Sequence, residues 1–236
     1  MTRTLTIFFI LINGALYSQL SSKVSELVSK LSKVERADSK FVGYAGSESE
    51  IYKLYDSISK IATNREVEYL AFNGSPIVKY YFSKKLVESK SKKLTILFQD
   101  FIKKNDSVKV IEGCVGTTLN LTNDLYQEIY SLPRHLEEME DFQQAIKSNK
   151  YPIDEQLKEI LEYKSKWNLN EAKKMIIEFD KIALDDENSP LGLIEYICMI
   201  NQYYENKIPY FQKLHFFEKK YNSKLIAEYI TFCENR

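Results

Sequence analysis

Glycine and proline are scarce in this chain, with seven and five residues in 236. β-rich folds need frequent tight turns built from those two residue types, so their scarcity points to a helical fold. Histidine occurs twice, cysteine three times and tryptophan once. Two histidines give Ser-His-Asp or Cys-His catalysis almost no material. There is no Cys-x-x-Cys pair, no His-Glu-x-x-His helix and no glycine-rich phosphate loop. No catalytic residue, metal ligand or cofactor site is therefore assigned from the sequence. A charge excess is lacking too: 33 basic residues cancel 33 acidic ones. No overall field draws this chain to nucleic acid or to an anionic membrane.

Hydrophobic residues make up 44% of the chain, which excludes a disordered polypeptide. A chain of this length buries roughly 70% of its unfolded surface and needs no metal or disulfide to fold. One long, nearly unbroken apolar run exists, Leu5 to Leu16, interrupted by Asn13 and Gly14. Arg3 precedes it, and Ser18 and Gln19 follow it. That order reads as a secretory leader covering residues 1–18, too short to span a bilayer as a stable helix. The expected location is the periplasm or the extracellular space, with no integral membrane segment in the processed chain. Cys114, Cys198 and Cys233 are an odd set for such a compartment. They read as buried, unpaired thiols, with one disulfide and a spare thiol as the alternative.

Beyond the leader, apolar residues recur at helical spacing. Leu20, Val24, Leu27, Val28 and Leu31 form one stripe, and Ile51, Leu54, Tyr55 and Ile58 another. Ser47 with Glu50 and Asn64 read as caps. Ser75-Pro76 and Ser189-Pro190 read as helix starts, because proline fits the first turn. Leu94, Leu97, Phe98, Phe101 and Ile102 continue the pattern. It breaks between Asn105 and Thr122, where Val108 to Ile111 is the single strand-like run and the remainder reads as a loop. Spacing resumes at Leu125, is expected to stop at Pro133, and runs on through Ala172 to Ala183, Leu193 to Tyr204, Tyr210 to Tyr221 and Ile226 to Cys233. About eleven short helices follow, with no convincing strand. The expected fold class is all-α, built of stacked helix hairpins as a HEAT/TPR-like solenoid or an irregular helical bundle. A helical region at 19–121 and a C-terminal one at 122–236 are expected, or one continuous domain.

Two segments carry a resemblance. Ser75-Pro76-Ile77-Val78-Lys79-Tyr80-Tyr81, closing at Leu86, resembles the second-helix signature of HEAT-type repeats. The longer frame is similar to HEAT-like proteins secreted by Bacteroidetes bacteria: Gly43-Tyr44-Ala45-Gly46 precedes the helix, and Asp106, Val108, Gly113 and Cys114 follow it. This resemblance covers about residues 40–125. Phe82 stands where a small residue is expected, and Lys79 where an arginine is. Glu171-Ala172 through Phe179 and Ile182-Ala183 looks like one helix of a tetratricopeptide repeat. Both resemblances imply stacked helices that bind proteins or peptides, and neither implies a chemistry.

Three clusters remain. His135-Leu136-Glu137-Glu138-Met139-Glu140-Asp141 is the densest acidic run; it reads as a solvated helix face, against a single-helix fragment of a metal site. His215 reads as a partly buried structural residue. Lys84, Lys85, Lys90, Lys92, Lys93, Lys103 and Lys104 read as the wet side of two helices. The expectation is an exported, non-enzymatic scaffold that contacts another protein. Lys79, Tyr80, Lys84, Asp106, Thr117 and Thr118, around the 105–121 loop, are the candidate contact residues. The alternatives are a carboxylate-dependent hydrolase in an all-α fold and a structural envelope component without a discrete site.

Overall fold

A computed structural model describes residues 19–148 and 155–236; the expected leader lies outside them. The structure is 67% helical, and it also contains a four-stranded mixed sheet. The protein is therefore mixed α/β, and the all-α expectation of stacked helix hairpins is corrected. By contacts the chain divides into two units. One runs up to Leu86 and adds Ser107–Leu119; the other is Val87–Asp106 with Asn120–Arg236.

The first unit holds α1 (Ser22–Leu31), β1 (Ala37–Val42), β2 (Ser47–Glu48), α2 (Glu50–Ile61), α3 (Asn64–Asn73), most of α4 (Pro76–Glu88), β3 (Ser107–Gly113) and β4 (Val115–Asn120). The sheet order is β2-β1-β3-β4, with β1 antiparallel to β2 and parallel to β3. β3 shows why it alone announced itself: Val108 and Val110 are buried while Ser107 and Lys109 face out, the two-residue period of a half-buried strand. β1 lacks that period, since its neighbours Ala37 and Asp38 are both buried. β4 has none either, because it is an edge strand whose first four residues are exposed. Gly43 and Gly46 adopt left-handed φ of 76° and 63° in the turn between β1 and β2, a conformation side-chain-bearing residues avoid.

Two polar ties fix this unit. The Tyr81 hydroxyl donates to the Asp38 carbonyl at 2.7 Å and accepts from the Asp38 amide at 2.7 Å. The Asp38 carboxylate, 4% exposed, accepts from Ser49 Oγ at 2.8 Å and from Arg36 Nε at 3.0 Å. Ser49 Oγ in turn accepts from the Ile51 and Tyr52 amides, so Ser49 caps α2; Ser47, expected to cap, belongs to β2. The ring of Tyr81 stacks on Tyr55 at 4.5 Å and thus lies within the apolar core. The second tie is Glu66. Its carboxylate accepts from the Ser21 amide at 2.6 Å, and from the amide and hydroxyl of Thr63 at 2.8 and 2.9 Å. Those donors hold its pKa down at about 2. Thr63 with Glu66 forms the capping box of α3, in place of the expected Asn64.

The second unit is helical: α5 (Leu94–Lys104), α6 (Leu121–Ser148), α7 (Glu155–Glu162), α8 (Leu169–Asp185), α9 (Leu191–Tyr203), a 3-10 turn at Phe211–Lys213, α10 (Leu214–Tyr221) and α11 (Lys224–Glu234). α5 buries Leu94, Leu97, Phe98, Phe101 and Ile102 against α6 and α8, where Phe98 stacks on Phe179 at 4.2 Å. Asn120 starts α6 by accepting from the Thr122 and Asn123 amides. α6 does not stop at Pro133 but runs through it to Ser148. A proline costs an interior helix one amide bond, here the one to the Ile129 carbonyl, and the turns on both sides continue. Trp167 Nε1 donates to the Val87 carbonyl at 2.7 Å, and Asn168 with Glu171 caps α8. The two expected Ser-Pro starts also differ in detail. Pro76 does open α4, but the buried Ser75 hydroxyl makes no hydrogen bond among the described residues. The Ser189 hydroxyl donates to the Ala183 carbonyl.

Replacing Tyr81 by Phe removes one oxygen and strands two buried backbone groups of Asp38. The expected loss is about 1–3 kcal/mol of stability, read as a lower urea midpoint with an unchanged slope.

Candidate functional site

Within the helical unit, α6, α8, α9 and the 206–209 segment enclose a cleft of about 870 Å³. Each wall is one face of a helix. Gln127, Tyr130, Ser131, Arg134 and Glu138 recur on α6 at intervals of three and four, and Lys173, Ile176, Ile177 and Asp180 do so on α8. Ile200, Asn201 and Tyr204 come from the end of α9, and Asn206 to Pro209 close the remaining side.

Asp180 is the unusual member, a carboxylate on the cleft wall that is only 2% exposed. Its Oδ1 accepts from the Tyr126 hydroxyl at 2.7 Å, which is its single hydrogen bond among the described residues. Burial without a cation raises its pKa to about 6, despite the opposing effect of the tyrosine bond. Tyrosines surround it. Tyr126 stacks on Tyr130 at 5.9 Å, and Tyr130 meets Tyr204 at 5.9 Å. The Tyr130 hydroxyl accepts from Asn206 Nδ2 at 3.0 Å and donates to Asn201 Oδ1 at 3.4 Å. Burial raises the pKa of Tyr126 and Tyr130, so both phenols are neutral at physiological pH.

The basic groups of the cleft are engaged or distant from Asp180. Arg134 donates to Glu138 at 2.6 Å and reaches the Tyr204 hydroxyl at 3.4 Å. Lys207 lies over the Phe211 ring at 4.8 Å. Lys173 is two helical turns from Asp180 on α8. The cleft can thus hold a ligand of mixed character, with isoleucines and tyrosine rings for its body and one buried carboxylate for a polar end.

The residues expected to form a contact surface are not brought together as one. Lys79 and Tyr80 are buried on α4, at 6% and 4% exposure. Lys84 is half-buried, with its ammonium 4.5 Å from the Tyr80 ring centre, and the Tyr80 hydroxyl donates to Glu112 at 3.4 Å. Thr117 and Thr118 are exposed on β4. Asp106 belongs to the other unit, where its carbonyl accepts from the Leu121 amide. The 105–121 segment is a β-hairpin, not a loop, and its turn is bonded to the β1–β2 turn through Gly43 N and Gly113 O at 2.9 Å. Phe41, Tyr44, Cys114 and Val115 are exposed at these two turns.

Other expectations need amending. His215 is exposed, 3.5 Å from Glu218 and 3.7 Å from Glu234. Cys198 and Cys233 are buried free thiols, but Cys114 is exposed. Among the described residues, no three His, Cys, Asp or Glu side chains are grouped to hold a metal, and no helix is long and apolar enough to cross a membrane. His135, Glu137 and Glu138 do line the cleft. Asp180 escaped attention in the sequence, although Ala172, Ile176, Asp180 and Ala183 fall on one stripe where an acid is out of place. No family model matches the chain, and no curated protein or solved structure matches it either.

The folded Asp180 carboxyl holds its proton more tightly than the unfolded one, whose pKa is near 3.8. Stability tied to this group is therefore lost as pH rises from about 4 through about 6, at a cost on the order of 3 kcal/mol above that range. Asp180→Asn keeps the acceptor for Tyr126 and removes the charge. The variant is expected to unfold at higher urea than wild type by about 1–3 kcal/mol at pH 7.5, with the gap closing by pH 4. A variant less stable than wild type at pH 7.5 contradicts this account.

Proposed function

We propose that this protein is an exported, non-enzymatic binding protein and that the cleft between α6, α8 and α9 receives what it binds. Export rests on the order of charge, apolar run and small residues in 1–18. The binding reading rests on one observation: a buried carboxylate with a single hydrogen bond, on the wall of a cleft large enough for a small molecule or a partner's side chains. Leaving an acid half-satisfied in a helical core weakens the fold, and stability is commonly given up in this way where a site must bind something. This keeps the interaction role expected from the sequence and moves it from the 105–121 segment to the helical unit.

One observation favours a carboxylate-dependent hydrolase as a second reading. A carboxyl held at about 6 is suited to general-acid work, and Glu137 and Glu138 stand on the same cleft. On that reading Asp180→Asn abolishes turnover of a bound substrate without abolishing its binding.

Ile176, Ile177, Ile200 and Ile208 line the cleft and supply methyl reporters. In an isoleucine-labelled NMR screen of small fragments, binders are expected to move these four resonances ahead of others. Fragments that bind only elsewhere, or none that bind at all, overturn the reading.

A further inference from the structure

Asp180 is a buried carboxylate with no ion-pair partner among the described residues. Its bonded neighbour is the neutral Tyr126 hydroxyl, and Tyr130 and Asn201 line the same cleft, while Arg134 is committed to Glu138 and Lys207 to the face of Phe211. Asn201 is a neutral amide that donates one hydrogen to the Ile197 carbonyl at 2.9 Å. Tyr130 and Tyr204, half-buried and exposed, line the same space. A buried carboxylate and electron-rich tyrosine rings on one cleft are both attractive to one class of group, an organic cation.

The geometry points to an organic ammonium or guanidinium group as what this cleft takes, with Asp180 as its counter-ion and Tyr130 and Tyr204 as its aromatic walls. This rests on the binding reading above and names the chemistry of that site. A bound cation supplies the opposite charge that Asp180 lacks within the fold, so the same burial that destabilises the unliganded protein strengthens the pair. A neutral or anionic group gains nothing from Asp180 and leaves its charge buried and unmatched. Two sources offer such a cation: a free small amine, or a lysine or arginine side chain of a partner polypeptide.

Benzylammonium, benzyl alcohol and benzoate share one ring and differ in charge, and titrating each against the isoleucine-labelled protein separates the possibilities. Benzylammonium is expected to shift the Ile176 and Ile200 methyls with an affinity at least about tenfold above the other two. Asp180→Asn is expected to erase that preference while the protein stays folded, as its methyl spectrum reports. Tyr204→Leu, at an exposed helix end, is expected to weaken benzylammonium more than benzoate. A blocked Gly-Lys-Gly peptide that binds more tightly than benzylammonium, and loses binding when its lysine is acetylated, assigns the cation to a partner chain; the reverse order assigns it to a free amine. Equal affinity for the three ring probes, or a preference that survives Asp180→Asn, overturns the cation and leaves the cleft a binding site of another kind. Silence of all probes and of the fragment screen at these methyls overturns both.

Discussion

The stacking of Phe98 on Phe179 sets the rotation of α8, and the character of the helical unit follows from that rotation. Successive residues on an α-helix are separated by about 100° around the axis. With Phe179 turned into the core against α5, Asp180 cannot face the solvent; it is carried round to the side where α6 and α9 pack. The same turn places Ile176 and Ile177 one turn away along the cleft wall. The apolar contact that stabilises the unit is thus also what forces a carboxylate indoors.

The sheet-bearing unit meets the same difficulty differently. Asp38 is as deeply buried as Asp180, yet both of its carboxylate oxygens are bonded, one to Ser49 and one to Arg36, and its backbone is closed by Tyr81. Glu66 likewise has three donors. In those two places a buried acid is structural and satisfied. Asp180, with its single bond, differs from both; Asp124 on α6 is another buried acid with an oxygen, Oδ2, that makes no hydrogen bond among the described residues, and what sets Asp180 apart from it is its place on the cleft wall.

Much of the helical architecture was legible because it is written in side chains three and four apart. The stripes of α2, α5, α8, α9 and α11 recur in the structure as buried faces. The sheet was legible only at β3, whose alternation of valines with Ser107 and Lys109 is a local signal. β1 and β4 are set by pairing across long stretches of chain: β1 finds β3 some seventy residues later, with Ala37 opposite Val110. No window of sequence displays such a pairing. Pro133 misled in the opposite direction, since a helix held by tertiary packing tolerates one missing amide bond. The cleft was the least legible feature. Its residues come from four separate segments, and only the acid at position 180, set in an apolar stripe, carried any local sign of it.

The path of the chain through its two units has a consequence for biosynthesis. The sheet of the first unit is completed by Ser107–Leu119, after α5 has already been made, while α5 has its partners α6 and α8 further along. Neither unit is therefore a contiguous piece that can finish folding when its first half emerges. During synthesis the apolar face of α5, with Phe98 and Phe101, waits uncovered until α8 arrives some sixty-five residues later. A chain interrupted between them presents that sticky helix to whatever is nearby, and a chaperone that shields it is the natural guardian of this fold.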